Sequence, residues 1–151
     1  NEEVLFFKIY EQDKEFLITS SAGKGFFVNS NDFIASTKSG KKVMNLKDND
    51  RAVSCAEKKG DLIVSISGEK KSFKLLAFNS SEIPNMQKGR GVTLQKFKSG
   101  KTLNAFCADS NEGIINERSK KVLLSAKDLK KWLGKRAQAG RIEPKNLHSK
   151  I

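Results

Sequence analysis

The sequence predicts an all-β fold made of about three similar antiparallel units. Two observations support this prediction. Short runs of β-branched and aromatic residues alternate with turn residues along the chain, and a weak repeat with a period of about 45 residues accompanies them. Sheets repeated in this way are typical of radial or stacked blades, in which repetition leaves short, protected edges. The 151 residues are enough for a single domain with its own core.

Glycines followed by basic residues mark the repeat. They are Gly40, Gly89 and Gly134, and they stand 49 and 45 positions apart. A second marker places Cys55 and Cys107 at one repeat position, and the apolar run at 4–7 fits the same position at the start of the chain. We therefore expect one domain over 1–151, with units at 1–50, 51–104 and 105–145 and a tail at 146–151.

The strands of each unit are predicted from short apolar runs. These runs lie at 16–19, 25–28, 62–66 and 72–78. Glycine-containing stretches at 21–25 and 67–71 separate them and are typical of hairpin turns, since glycine supplies the positive φ that tight connections require. Each unit is therefore expected to be a small antiparallel sheet.

One segment gives conflicting signals. Ser125 could cap a helix, and Leu129, Trp132 and Leu133 fall at helical spacing within 125–139. The phase of the repeat instead makes this segment a loop between strands. We expect the loop, with room for a single helical turn.

Charge is distributed unevenly along the chain. The 29 Lys and Arg and the 17 Asp and Glu give a net charge of +12. Residues 1–50 carry 7 basic and 8 acidic side chains, residues 51–100 carry 10 and 4, and residues 101–151 carry 12 and 5. Such a field favours a polyanion, and no apolar run has the 18 or more residues of a membrane span. Nucleic acid is therefore the expected partner, and no membrane is expected.

Catalytic and metal-binding patterns are not predicted. The two cysteines lack the spacing of a zinc site or a disulfide framework, so we expect reduced thiols, no metal and no cofactor. Tyr10 and Trp132 are expected to pack in the core, and His148 falls in the tail, where disorder is common. No catalytic residue is assigned. The chain starts at Asn1 without an initiator Met or a signal-peptide pattern, so we expect a cytoplasmic piece of a longer protein.

Two basic stretches suggest a family. The stretch 85–98 reads NMQKGRGVTLQKFK, and 134–141 reads GKRAQAGR after Trp132. From about Phe16 to Pro144 the chain resembles the C-terminal domain of the bacterial DNA topoisomerase IV A subunit, which is related to the same domain of the gyrase A subunit. The gyrase domain carries a Gln-Arg-Arg-Gly-Gly-Lys-Gly box, and the stretch 87–91 is a degenerate version of it, which favours topoisomerase IV.

The resemblance implies a fold and a role. The fold would be a β-pinwheel, a propeller-like disc of four-stranded blades, here with about three blades in a truncated or open disc. The role would be to hold duplex DNA on a basic rim for a type II topoisomerase whose cleaving tyrosine lies elsewhere. The expected partners are duplex DNA, the B (ATPase) subunit of the parent enzyme and the remainder of its A subunit, at the bacterial nucleoid.

The residues also indicate where DNA would bind. Glycine lets the main chain approach a phosphate closely while a long basic side chain flanks it, and recurrence at a structural period places several such loops on one edge. The predicted DNA-binding residues are Lys41, Lys42, Lys88, Arg90, Lys96, Lys98, Lys135, Arg136 and Arg141. No basic recognition helix or zinc finger is visible, which favours contacts to the DNA backbone and its curvature over base reading. Two alternatives remain: the DNA-wrapping domain of gyrase, and a propeller-like module that binds acidic proteins.

Overall fold

The computed structural model describes residues 2–151 and contains ten strands with little helix. The strands are β1 (Glu15–Ser20), β2 (Lys24–Asn29), β3 (Ala52–Glu57), β4 (Leu62–Glu69), β5 (Ser72–Asn79), β6 (Val92–Thr93), β7 (Lys101–Ala108), β8 (Ile114–Ile115), β9 (Val122–Leu124) and β10 (Arg141–Ile142). The one α-helix in this range is a single turn, α1 (Ala126–Leu129). Short 3₁₀ turns cover Ser30–Phe33, Ser80–Glu82, Lys130–Trp132 and Leu147–Ser149.

The strands form two four-stranded sheets and one hairpin. The first sheet has the order β3-β1-β2-β6, the second has the order β10-β5-β4-β7, and β8 pairs with β9 alone. Every pairing in these sheets is antiparallel. The all-β prediction is confirmed, while the third sheet has two strands where four were expected.

Each four-stranded sheet takes its outer strand from a later part of the chain. β6 follows the second sheet's β5 in sequence but pairs with β2 of the first sheet, through Lys24↔Thr93 and Gly25↔Val92. β10 follows the third hairpin and pairs with β5 of the second sheet. The unit limits drawn from the sequence stay a prediction, because successive units exchange strands and a sheet does not correspond to one stretch of chain.

Polar caps at the ends of the second strand of each hairpin, β2, β5 and β9, show which positions of the three units are equivalent. The side chains of Asn29 and Asn79 each accept a hydrogen bond from the backbone N–H two residues later. The Ser125 hydroxyl likewise accepts from the backbone N–H of Asp128 at 3.1 Å and so starts α1. Side-chain oxygens at this position satisfy backbone donors that would otherwise be unpaired. These caps place Asn29, Asn79 and Ser125 at one position of the repeat.

The core lies between successive sheets. One cluster joins the facing sides of the first two sheets through Leu17, Phe27 and Phe78. A second cluster packs the far side of the second sheet against Ile114 and Leu129. The central residues of β4 and β5 are buried on both faces, so 62–64 and 75–78 are short continuous apolar runs.

Three expectations about local structure need correction. The apolar run at 4–7, where no strand was predicted, forms none, and Phe7 is 88% exposed. Tyr10 is also outside any strand and is half-exposed, and its hydroxyl donates to Asn31 Oδ1 at 2.7 Å. The segment 125–139 begins with α1 and a 3₁₀ turn before it becomes a loop. The tail at 146–151 is ordered at Leu147, which is buried in the second cluster.

Two glycines of equal conformation test how closely the outer strand approaches its sheet. Gly91 has φ +82° and Gly40 has φ +81°, but a Cβ on Gly91 would collide with the Gly25 carbonyl oxygen, whereas nothing would be met within 4 Å at Gly40. We expect Gly40→Ala to cost about 1 kcal/mol through backbone strain and Gly91→Ala about 3 kcal/mol through strain plus collision. Urea denaturation at low micromolar protein measures both. Equal losses would contradict the close approach of β6.

Candidate nucleic-acid interface

Three basic loops lie side by side along one edge of the molecule. We call them the basic belt and define it as residues 40–45, 88–98 and 134–141. Backbone hydrogen bonds connect the first loop to the second and the second to the third. They run from Asn45 N–H to Gly89 O (2.7 Å), Gly89 N–H to Val43 O (3.0 Å), Lys96 N–H to Gln138 O (3.0 Å) and Ala137 N–H to Leu94 O (2.8 Å).

The belt contains all nine residues predicted from the sequence to bind DNA. Seven of them are exposed: Lys41, Lys42, Lys88, Lys96, Lys98, Lys135 and Arg141. Among residues 2–151, the ion pairs with Asp or Glu involve other basic residues. The positive charge of these seven side chains is therefore not neutralised within the described part of the chain.

The two remaining arginines are half-buried and differ from each other. Arg136 donates from Nη1 to the carbonyl oxygen of Thr93 at 2.9 Å, so its side chain ties the third loop to the second. Arg90 is half-buried between Gly89 and Gly91, and its Nε has no hydrogen-bond partner among the described residues. Arg136 thus has a structural contact, whereas Arg90 keeps an unused donor.

A buried glutamine anchors the belt to the second sheet. Gln95 is 2% exposed, and its Oε1 accepts from the Ser65 hydroxyl at 2.9 Å. Its Nε2 donates to the carbonyl oxygens of Lys74 and Ala139, at 3.1 and 2.9 Å. One side chain therefore holds together β4, β5, the second loop and the third loop.

Sequence reasoning missed the basic residues beside the belt. Lys101 pairs in register with Gly68, next to the β4–β5 turn that carries the exposed Lys70 and Lys71. A Cβ on Gly100 would collide with the Gly68 carbonyl oxygen, so the end of the second loop contacts this turn closely. The turn was identified from its glycine, but the sequence holds no signal that places it next to the second loop.

The single tryptophan, the single histidine and the two cysteines lie in structural surroundings and not in a reactive site. Trp132 packs against the second core cluster and donates from Nε1 to Ile142 O at 2.9 Å. The ring of His148 packs at a tilt against Phe73 with ring centroids 4.4 Å apart, and its Nδ1 contacts Glu143. Burial raises the pKa of both thiols, Cys55 and Cys107, which lowers their reactivity at neutral pH.

Residues 2–151 show neither a metal-binding cluster nor a membrane-spanning helix. No group of three or more His, Cys, Asp and Glu side chains in this range is arranged to hold a metal ion. None of the helices described is long and apolar enough to cross a membrane.

Comparisons with known protein families and sequences agree on DNA gyrase and DNA topoisomerase 4. A family model described as DNA gyrase C-terminal domain, beta-propeller, matches residues 14–56 and 77–106. The A subunit of DNA topoisomerase 4 from Rickettsia felis is 42% identical over 148 residues, which covers 98% of this chain and 20% of that protein. The chain thus spans about a fifth of the length of the curated relatives it matches.

Solved structures share the fold. The E. coli ParC C-terminal domain superposes with a TM-score of 0.73 at 23% identity, over 91% of this chain and 58% of that one. A DNA gyrase A C-terminal domain gives a TM-score of 0.64 at 23% identity, over 91% and 47%. The β-pinwheel fold expected from the sequence is thereby confirmed.

The anchoring role of Gln95 leads to a stability prediction. Gln95→Leu keeps the side-chain volume but leaves the Ser65 hydroxyl and the Lys74 and Ala139 carbonyls unpaired. We expect a loss of about 2 to 4 kcal/mol in the free energy of unfolding. Gln87→Leu makes the same change at an exposed position just before the same loop and should cost less than about 0.5 kcal/mol. Urea titration measures both, and similar losses would exclude the anchor.

Proposed function

Because the chain belongs to the family of C-terminal domains of the gyrase and topoisomerase IV A subunits, we propose that it is the DNA-holding accessory domain of a topoisomerase IV. In this role the basic belt binds and bends duplex DNA. Strand cleavage and passage belong to the B (ATPase) subunit and the remainder of the A subunit, which are its partners at the bacterial nucleoid in the cytoplasm. The domain itself is proposed to be non-catalytic and to need no cofactor.

The observation that carries this proposal is the continuity of the belt. Backbone hydrogen bonds join the three basic loops, so the backbone positions that carry the lysines are held at fixed spacing. Phosphates recur along a duplex, and a row of cations along one edge can follow them and release condensed counterions. A single lysine-rich loop is as consistent with a solvated turn as with a binding site. Three joined loops form an extended positive surface, which favours the binding of an extended polyanion.

The second loop has the chemistry best suited to phosphate. Its Gly89 and Gly91 are held against Val43 and Gly25, so these close backbone contacts fix the position of the basic residues beside them. Arg90 lies between these glycines and is half-buried, with its Nε shielded from solvent. Lys88, Lys96 and Lys98 flank it as exposed point charges. Such contacts position a duplex without reading its bases, which suits a domain that must accept any sequence.

The first test removes two charges from the belt. Lys96→Gln with Lys98→Gln should weaken duplex binding on the order of ten- to a hundredfold at 0.1 M salt, because two phosphate contacts are lost. The slope of log affinity against log salt should fall by about 2. Fluorescence anisotropy of a labelled duplex at several salt concentrations measures both quantities.

The matched control removes two lysines away from the belt. Lys8→Gln with Lys59→Gln makes the same chemical change in the cleft beside the inner strands β3 and β7. Its affinity and salt slope should stay close to the starting protein. Equal weakening by the two pairs would show a diffuse charge effect and contradict the belt. Competition by polyglutamate as effective as duplex would instead favour a module for acidic proteins.

A further inference from the structure

The hairpin turns of the second and third sheets hold lysine in an unusual backbone conformation. Lys70 in the β4–β5 turn has φ +56°, and Lys120 in the β8–β9 turn has φ +58°. The β1–β2 turn has a glycine, Gly23, in this left-handed conformation. Glycine is the usual residue there, because a Cβ makes the conformation strained. Two turns thus keep a lysine where glycine would fit with less strain, which indicates that the lysine side chains are used.

These two turns lie at the same end of the molecule. The segment 147–150 connects the ends of the two hairpins. Its His148 ring packs against Phe73, the second residue of β5, with ring centroids 4.4 Å apart. Its Lys150 carbonyl oxygen accepts from Nδ2 of Asn116, where the β8–β9 turn starts, at 2.9 Å. One short segment therefore links the two turns.

The β4–β5 turn also adjoins the basic belt. Lys101 pairs in register with Gly68 at the start of this turn. Lys98 of the belt stands three positions before Lys101, so their Cα atoms are at most roughly 10 Å apart. We call residues 68–71, 101 and 116–121 the turn face. The turn face therefore continues the positive surface of the belt from the second loop onto the end of the sheets.

The two ends of the second and third sheets carry opposite charge. The turns 68–71 and 116–121 contain five basic and two acidic residues. The four connections at the opposite end contain three basic and five acidic residues. They are 58–61, 80–82, 109–113 and 125–128. None of the ion pairs within residues 2–151 involves a lysine of the turn face. A surface that is positive at one end draws a polyanion to that end.

We propose that the turn face is a second duplex-binding surface, and that the DNA held on the basic belt passes onto it at the second loop. The proposal rests on the proposed function and adds a path for the duplex. Lys70, Lys71 and Lys101 contact the phosphates nearest the belt, and Lys120 and Lys121 contact phosphates further along. Contacts of this kind hold the backbone and do not read bases.

This path requires the duplex to bend. The belt follows the outer edge of the sheets, whereas the turn face lies at their end, and the two surfaces face different directions. Bending a duplex costs elastic energy, and the added phosphate contacts on the turn face offset that cost. Removing the lysines of the β4–β5 turn should therefore reduce both the affinity and the bend.

Lys70→Gly separates binding from folding. Relief of the left-handed strain should move the midpoint of urea denaturation to higher urea concentration. Loss of one phosphate contact should weaken duplex binding about three- to tenfold at 0.1 M salt and lower the salt slope by about 1. Fluorescence anisotropy of a labelled duplex of about 40 base pairs, or roughly 136 Å, measures the binding. A lysine with only a structural role would not give a more stable protein that binds more weakly.

The double substitution Lys70→Gln with Lys71→Gln tests the path. It should weaken binding of the same duplex on the order of ten- to a hundredfold at 0.1 M salt. It should also lower the energy transfer between dyes at the two duplex ends, because the bound duplex is straighter. The matched control is Lys59→Gln with Lys127→Gln, two exposed lysines at the opposite end of the sheets. This control should keep the affinity and the energy transfer of the starting protein.

The possible results separate the two proposals. Unchanged binding by the Lys70 and Lys71 pair, with weakened binding by the Lys96 and Lys98 pair, would overturn the turn face and leave the proposed function standing. Unchanged binding by both pairs would overturn the proposed function as well. Equal weakening by the control pair would also overturn the turn face, because overall charge would then govern the affinity.

Discussion

The pairing of each sheet's outer edge with a strand from the following unit is the constraint on which the rest of the structure depends. β6 and β10 are two residues long, and pairs so short have little stability of their own. They are held by the close backbone contact at Gly91 and Gly140 and by the hydrogen bonds of Gln95. Without this pairing β2 and β5 would be open edges, and the loops that carry the strands would lose their positions.

The same constraint decides where charge can lie. The central residues of the hairpin strands are buried on both faces between successive sheets, so a lysine at those positions would have to leave water. Loops that cross from one unit to the next lie at the edge and can hold charge at no such cost. Because these loops also bond to one another, the positive residues of distant sequence positions form a continuous row. A stability requirement thus produces the surface on which the proposed function rests.

Sequence reasoning recovered the elements that local chemistry determines. The hairpins of the first two sheets were found from apolar runs and glycine turns, and the basic loops were found from their recurrence. It failed where a partner decides the outcome. The run at 4–7 has the composition of a strand, but none of the described strands pairs with it. Leu147 and His148 looked like a terminal tail, although Phe73 and the second core cluster hold them in place.

The site shows the same division between local and long-range information. A glycine before lysines is visible in the sequence, and it located the belt. The different states of Arg90 and Arg136 are not visible there, because the carbonyl of Thr93 that binds Arg136 comes from another unit, 43 positions away. The buried Gln95 also looked like one more polar residue in a basic stretch. Its importance depends on β4 and the third loop meeting at that point.

Two segments can therefore occupy the same position in the repeat without forming the same structure. The segments 5–10 and 41–42 match β3 and β6 in position and in the backbone conformation of their connections, yet they form no sheet within residues 2–151. A strand in this fold is completed by its neighbour, so whether a segment becomes a strand depends on the unit beside it and not on its own sequence alone.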